Sequence, residues 1–324
     1  MENLLETRSL FIHYRMRQGT VRAVENVNFA LAPGEAVGLV GESGCGKSTL
    51  AKGILEVLPR YAEVRGQILF EGRDLASLPR TELRKVRGEK VGLIFQDPMT
   101  RLDPLMTIED HFTELIRQHR DVGKDDAKAM ALKALAAVGI PPSRFRNYPH
   151  EFSGGMRQRI MIAMALVLEP KLIIADEPTT SLDVIVEGQI LQVLEELRRR
   201  YGLALLLVTH NLGIVAETCD RVAVMYAGRI VEEGPVREIF RNPLHPYTQG
   251  LLHSVIHLET KELASIPGYP PGLVRPPSGC AFHPRCPQAF DPCPKAVPAL
   301  VPKDGRRVAC YLHHNVVEEG AADG

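Results

Sequence analysis

The stretch GESGCGKS, Gly41 to Ser48, constrains what this chain can fold into more than any other. It fits G-x-x-x-x-G-K-[ST] and follows directly on the apolar run AVGLV, which predicts a strand passing into a helix through a glycine-rich turn. Glycines leave room for backbone N–H groups to turn inward around a phosphate, and the helix adds the positive end of its dipole. Gly41, Glu42, Ser43, Gly44, Cys45, Gly46, Lys47, Ser48 and Thr49 are therefore candidate phosphate-site positions. Lys47 is expected to reach the β- and γ-phosphates of a nucleoside triphosphate, and the Ser48 hydroxyl to ligate Mg²⁺. Cys45 reads as a filler of the loop and not as a redox group.

Downstream, LIIADEP reads as a buried strand that ends in two carboxylates. Adjacent carboxylates at a strand end divide the labour of phosphoryl transfer. Asp176 is expected in the Mg²⁺ shell, and Glu177 is expected to polarise the attacking water.

The rest of the composition narrows the class. The chain has 324 residues, 45% of them hydrophobic and 24% charged, with 39 basic against 39 acidic side chains. That is material for a large domain plus a smaller one in an ordinary globular protein, and the even charge balance gives no reason to expect a nucleic-acid or acidic-membrane surface. The opening MENLLETRSLFIHY carries acidic residues where an export signal is basic, so no export is expected. The longest apolar stretch, Ile160 to Leu168, falls far short of the roughly 20 residues of a membrane-spanning helix. Work at a membrane would then go through partners, and a cytosolic address argues against structural disulfides.

Residues 20–40 read as strands around a turn at Pro33-Gly34, and 66–72 as a further short strand. Apolar positions recur at helical spacing between about Met106 and Val138, including Phe112, Leu115, Ile116, Met130, Leu132 and Leu135, so a helical subdomain is expected there. A buried helix is expected over Gln158–Leu168, another helix over Val186–Tyr201, a buried strand over Leu203–Val208 and a strand pair over Arg221–Glu232. The pattern is α/β. From Pro267 to Pro302 prolines are dense and periodicity is lost, which places a domain boundary near 255 and divides the chain into 1–255 and 256–324.

Between the two phosphate motifs lies EFSGGMRQR, and here the sequence resembles the nucleotide-binding subunits of ATP-binding-cassette (ABC) proteins. Their LSGGQ signature stands as Phe152-Ser153-Gly154-Gly155-Met156, with Phe for Leu and Met for Gln. Ser153 is placed to cap a helix whose N-terminus faces phosphate. The resemblance implies that Ser153, Gly154 and Gly155 contact ATP held by a facing subunit, so that each site is shared by two chains. It also implies that Gln96 contacts Mg²⁺ and the lytic water, that Ser181 to Asp183 cross the dimer interface, that His210 bonds the γ-phosphate and that Tyr14, upstream of the first hairpin, stacks on adenine. The implied fold is an ABC-type P-loop domain with a mixed sheet core, an N-terminal antiparallel β-subdomain, an inserted helical subdomain and a small irregular Cys-rich C-terminal domain.

FQDPMTRLDP, DEPTTSLDV and RNPLHPYTQGLL at 241–252 resemble the oligopeptide and dipeptide importer subgroup, which also holds nickel and some oligosaccharide importers. A non-transport ATPase of DNA repair or translation is the competing class, but the chain has neither a long coiled-coil insertion nor a second cassette. The resemblance implies a peripheral protein of the cytoplasmic membrane face with two integral membrane permease subunits, a second related cassette chain (a heterodimer favoured over a homodimer) and, indirectly, an extracytoplasmic substrate-binding protein.

Cys280, Cys286, Cys293 and Cys310 offer four thiolates, the number that closes a tetrahedral Zn²⁺ or holds a [4Fe-4S] cluster. The gaps are wider than common zinc spacings, and similar tails in the importer subgroup are associated with a [4Fe-4S] cluster. Cluster, zinc and free or bridged cysteines remain open, the cluster first. A tail so poor in apolar residues would gain folding energy from a metal.

Overall fold

The computed structural model describes residues 3–95, 101–180, 182–254 and 266–314. Two sheets organise it. The N-terminal one is antiparallel, in the order β2-β1-β4-β5, with β1 Leu5–Met16, β2 Gly19–Leu31, β4 Ala62–Phe70 and β5 Arg73–Asp74. Tyr14 therefore lies on β1 within the first hairpin, opposite Val21, and not upstream of it. The strand is hard to read because Ser9 adopts φ 43° where the register with β2 shifts, and such a bulge destroys the two-residue alternation.

The central sheet is mixed and runs β11-β12-β10-β9-β3-β8-β7-β6. Strands β3 Ala36–Val40, β6 Val91–Ile94, β7 Leu172–Asp176, β8 Ala204–Val208 and β9 Arg221–Tyr226 are parallel, whereas β10 Arg229–Pro235, β11 Val301–Lys303 and β12 Arg306–Val308 continue it antiparallel. Every residue of β3, β7 and β8 is buried, as expected of parallel strands covered on both faces, and this is why they read as unbroken apolar runs. Helix α1 Lys47–Ile54 follows β3, and α2 Arg80–Lys85 precedes β6.

The expected helical subdomain forms as α3 Ile108–His119 and α4 Lys124–Ala137. A capping box starts α3, with the Thr107 hydroxyl accepting from the Asp110 N–H at 3.2 Å and the Asp110 carboxylate accepting from the Thr107 N–H at 3.0 Å. Phe112, Ile116, Ala131, Leu135 and Phe145 join Ile160 of α5 Gly154–Leu166 in one buried cluster, which ties the subdomain to the core. Helices α6 Val184–Tyr201, α7 Leu212–Thr218, α8 Val236–Arg241 and α9 Pro246–His253 complete the α-helices among the described residues. Among the described residues no helix is long and apolar enough to cross a membrane.

The C-terminal segment is less irregular than expected. β11 and β12 form a hairpin, and Glu232 and Glu233 of β10 pair with Val308 and Arg307 of β12, so this segment extends the central sheet. The signal was present in KDGRR: Asp304 and Gly305 take φ 48° and 74°, the two positive angles that tight hairpin turns favour. Strands of three residues are too short for alternation to reveal. Residue 255, the expected domain boundary, lies outside the described residues.

Phe112 of α3 is fully buried in the cluster it shares with Ile160, with its ring against that of Phe145. Phe112→Ala is expected to cost about 3–5 kcal/mol in urea unfolding, with the midpoint lowered and the slope retained.

Candidate functional site

The site is built at the C-terminal ends of β3, β7 and β8, which are neighbours in the sheet. After β3 the chain curls through Gly41 to Gly46 into α1. A Cβ on Gly41 would stand 2.2 Å from the Met225 carbonyl oxygen, and one on Gly46 would stand 2.1 Å from that of Ala23. With φ of 150° and 110°, both positions exclude a side chain on conformation as well as on space. Lys47 is buried within the curl, where its Nζ donates to the carbonyls of Gly41 at 2.8 Å and Glu42 at 3.1 Å. Cys45 is buried beside it, and burial raises its thiol pKa, which fits a packing role. Ser43 and Gly44 are exposed at the mouth of the loop.

From β7, Asp176 accepts a hydrogen bond from Ser48 Oγ at 2.7 Å, and Lys52 Nζ stands 4.0 Å from its other oxygen. Glu177 follows at φ 48°, its N–H bonded to the Val208 carbonyl at the end of β8. A glutamate held in the left-handed region is uncommon, and this backbone turn sets its carboxylate toward His210, whose Nδ1 is 3.5 Å from Glu177 Oε1. Thr180 Oγ1 donates to the other carboxylate oxygen at 3.0 Å. Tyr14 reaches the same region from β1, its hydroxyl donating to Thr49 Oγ1 at 3.2 Å.

The structure thus brings together Tyr14, the Gly41–Thr49 loop, Asp176, Glu177 and His210. Gln96 and Ser181 lie outside the described residues. Ser153 caps α5 by accepting from the Met156 N–H at 3.4 Å, and among the described residues no hydrogen bond joins it to the phosphate loop. Asp183 caps α6 by accepting from the Val186 N–H at 3.0 Å. A Cβ on Gly155 would stand 2.5 Å from Val186 Cγ1, so the signature turn packs against the start of α6. Sequence reasoning missed two side chains that reach the loop from the C-terminal part: the Tyr247 hydroxyl accepts from the Glu42 N–H at 2.8 Å, and Arg285 forks onto the Glu42 carboxylate. No spacing rule links residues two hundred positions apart.

The four tail cysteines are free, and all four line one tight cavity together with His245. They do not make a ready metal centre: among the described residues no group of three or more His, Cys, Asp or Glu side chains is arranged to hold a metal ion. Burial pushes the thiols of Cys280 and Cys286 up, and that of Cys310 up to about 11, so as placed they pack as neutral groups. The donor chemistry still suits a soft metal, with four sulfurs and no carboxylate on the cavity wall. His245 Nδ1 accepts from the Tyr247 N–H at 3.0 Å, while its buried Nε2 has no hydrogen-bond partner. The ring's N–H is therefore on Nε2, a donor with nothing to receive it.

A glycine-rich loop between a buried parallel strand and a helix, with a carboxylate from the end of β7, two strands away in the sheet, on its serine, defines a P-loop nucleotide-binding protein. The ABC transporter family model matches residues 24–180, and the model for the C-terminal region of oligopeptide/dipeptide transporters matches 231–293. The chain is 46% identical to the oligopeptide transport ATP-binding protein OppD of Salmonella typhimurium, over 95% of this chain and 93% of that one. It is 45% identical to the dipeptide transport ATP-binding protein DppD of Bacillus subtilis, over 100% and 99%. A dimeric ATP-binding cassette, MJ0796, bound to ADP and Pi superposes with a TM-score of 0.64 at 27% identity, over 72% of this chain and 99% of that one. The chain belongs to the oligopeptide and dipeptide branch of ABC transporter ATP-binding proteins. It is an ATPase with the α/β cassette fold.

Burial raises the Asp176 carboxyl above its ordinary range, against the opposing Ser48 hydrogen bond and Lys52 charge. An acid whose folded pKa is raised costs stability increasingly as pH climbs from the unfolded pKa through the folded one, because the buried charge must then be carried. Asp176→Asn keeps an acceptor for Ser48. In Mg²⁺-free buffer it is expected to melt above the parent at neutral pH, with the gain shrinking as pH falls toward about 4; thermal melts across that range check it.

Proposed function

We propose that this chain is the ATP-hydrolysing subunit of a multisubunit importer that takes up di- or oligopeptides across the cytoplasmic membrane. Kinship with OppD and DppD supports a peptide cargo over nickel or oligosaccharide. The observation that carries the ATPase reading is the joined pair of motifs, Ser48 on Asp176 at 2.7 Å and Glu177 beside His210 at 3.5 Å.

In the proposed mechanism the loop amides and Lys47 hold the β- and γ-phosphates, with Tyr14 beside the loop for the adenine ring. Ser48 and Asp176, joined by Gln96, hold Mg²⁺, which when bound neutralises phosphate charge. Glu177 orients the water in line with the γ-phosphorus and accepts its proton, while His210 steadies the γ-phosphate. Ser153, Gly154 and Gly155 serve the ATP of the facing subunit, and Asp183 lies where the two chains meet. Val184 and Ile185 beside Asp183 support that dimer, since the two residues are 82% and 76% exposed and apolar surface of this kind seeks cover. The second cassette is read as a related chain, and closure of the pair is read as the movement passed to two permease subunits, with the substrate-binding protein engaged from the far side. The chain would then sit on the cytoplasmic face as a peripheral subunit.

The thiol cavity is proposed as the site of a [4Fe-4S] cluster, with Zn²⁺ as the competing occupant. Cys280, Cys286, Cys293 and Cys310 would hold it, and His245 Nε2 would donate toward a sulfur. A group bound there supplies a cross-link in a segment with little core.

Glu177→Gln is expected to bind ATP like the parent while turnover falls at least about a hundredfold. Unchanged turnover removes Glu177 from the base role. Anaerobic purification should give a brown protein whose visible absorbance is lost in Cys286→Ser; a colourless protein with stoichiometric zinc would assign the cavity to zinc.

A further inference from the structure

Glu42, the second residue of the phosphate loop, is gripped at both of its polar ends by the C-terminal part of the chain. Its N–H donates to the Tyr247 hydroxyl at 2.8 Å. Its carboxylate receives Arg285 in a two-pronged contact, Nη1 to Oε2 at 2.7 Å and Nη2 to Oε1 at 3.0 Å. Parallel N–H bonds of this kind fix orientation as well as distance.

Arg285 is itself held rigidly. Its side chain is only 6% exposed, between Pro267 and the Tyr226–Phe282 aromatic pair. Nε donates to the Pro267 carbonyl at 2.8 Å, and Nη1 also reaches the Tyr226 hydroxyl at 3.3 Å. Tyr247 is fully buried, with its ring 4.5 Å from that of Tyr226. A guanidinium so fully engaged does not follow the loop; the loop follows it.

The contact extends to the chemistry in one further step. The Glu42 carbonyl, in the same residue that Arg285 and Tyr247 hold, accepts from Lys47 Nζ at 3.1 Å. Displacing Glu42 therefore displaces an anchor of the lysine expected on the phosphates.

From this geometry we infer that Arg285 is a positioning residue of the nucleotide site: acting through Glu42, with Tyr247 as second anchor, it holds the phosphate loop in its phosphate-accepting curl. The Cys-rich segment is thereby a working part of the ATP site and not an appendage to it. The inference rests on the reading of Gly41–Ser48 as the phosphate site.

The test is equilibrium binding of ATP and steady-state ATPase rates on the full chain, for Arg285→Ala, Arg285→Lys, Glu42→Gln, Glu42→Gln with Arg285→Ala, and Lys47→Ala, each checked for cooperative melting. Glu42→Gln carries the test if Arg285→Ala fails to fold, since it leaves the arginine's bonds to backbone carbonyls in place. Arg285→Ala and Glu42→Gln should each weaken ATP binding about tenfold, the low end of what losing an outer positioning contact costs. KM should rise more than kcat falls. The double variant should be no worse than the weaker single, and Arg285→Lys, which has no fork, should fall between. Parental affinity in Glu42→Gln, or losses that multiply in the double variant, overturns the inference. If Lys47→Ala also binds ATP like the parent, the phosphate-site reading has failed and the inference falls with it; if Lys47→Ala loses binding while Glu42→Gln keeps it, the inference alone has failed.

Discussion

The curl of backbone around Lys47 is the constraint on which the rest of this structure depends. A buried ammonium needs acceptors, and the loop supplies its own, the carbonyls of Gly41 and Glu42. That arrangement requires a backbone path closed to any side chain at Gly41 and Gly46, because the carbonyls of Met225 and Ala23 occupy the space. The loop is thus shaped from outside by β9 and β2 as much as by its own glycines. A rigid platform is needed beneath it, and the fully buried β3, β7 and β8 provide one. With β7 and β8 near β3 in the sheet, Asp176, Glu177 and His210 arrive at the loop as consequences of strand order.

The C-terminal segment enlarges this picture. Its hairpin lengthens the central sheet through β12 on β10, its arginine holds the loop at Glu42, and its four thiols line a cavity beside the His245 ring. Phe282, between Cys280 and Cys286 in sequence, packs on Tyr226 and Tyr247, the aromatic pair that flanks Glu42. Phe282 is therefore a wall common to the thiol cavity and to the aromatic pair at the phosphate loop.

Much of the site was legible in the sequence because its parts are locally encoded. A loop that wraps phosphate needs glycine at fixed offsets, and a strand buried on both faces needs an apolar run, so GESGCGKS and LIIADEP announce themselves within eight residues. The helical subdomain was legible for a similar reason, since Phe112, Ile116 and their partners repeat at the period of a helix. β1 was missed because the bulge at Ser9 breaks its alternation, and β11–β12 because three-residue strands have no period to show. The thiols were legible as donors but not as a centre: spacing counts sulfurs, while their placement and protonation depend on what buries them.

The sequence alone determined the chemistry available: a lysine and a serine on a phosphate loop, two carboxylates after an apolar strand, a histidine after the next, and four thiols in the tail. These follow from short-range rules of backbone conformation and side-chain periodicity. Only the tertiary structure decided which of these groups meet. It set Ser48 against Asp176 and Glu177 against His210, left Ser153 exposed on α5, and brought Arg285 and Tyr247 across two hundred residues to Glu42. The physical reason is that contacts distant in sequence are selected by the packing of sheet and helices as a whole, and no residue pattern at either end of such a contact records its partner.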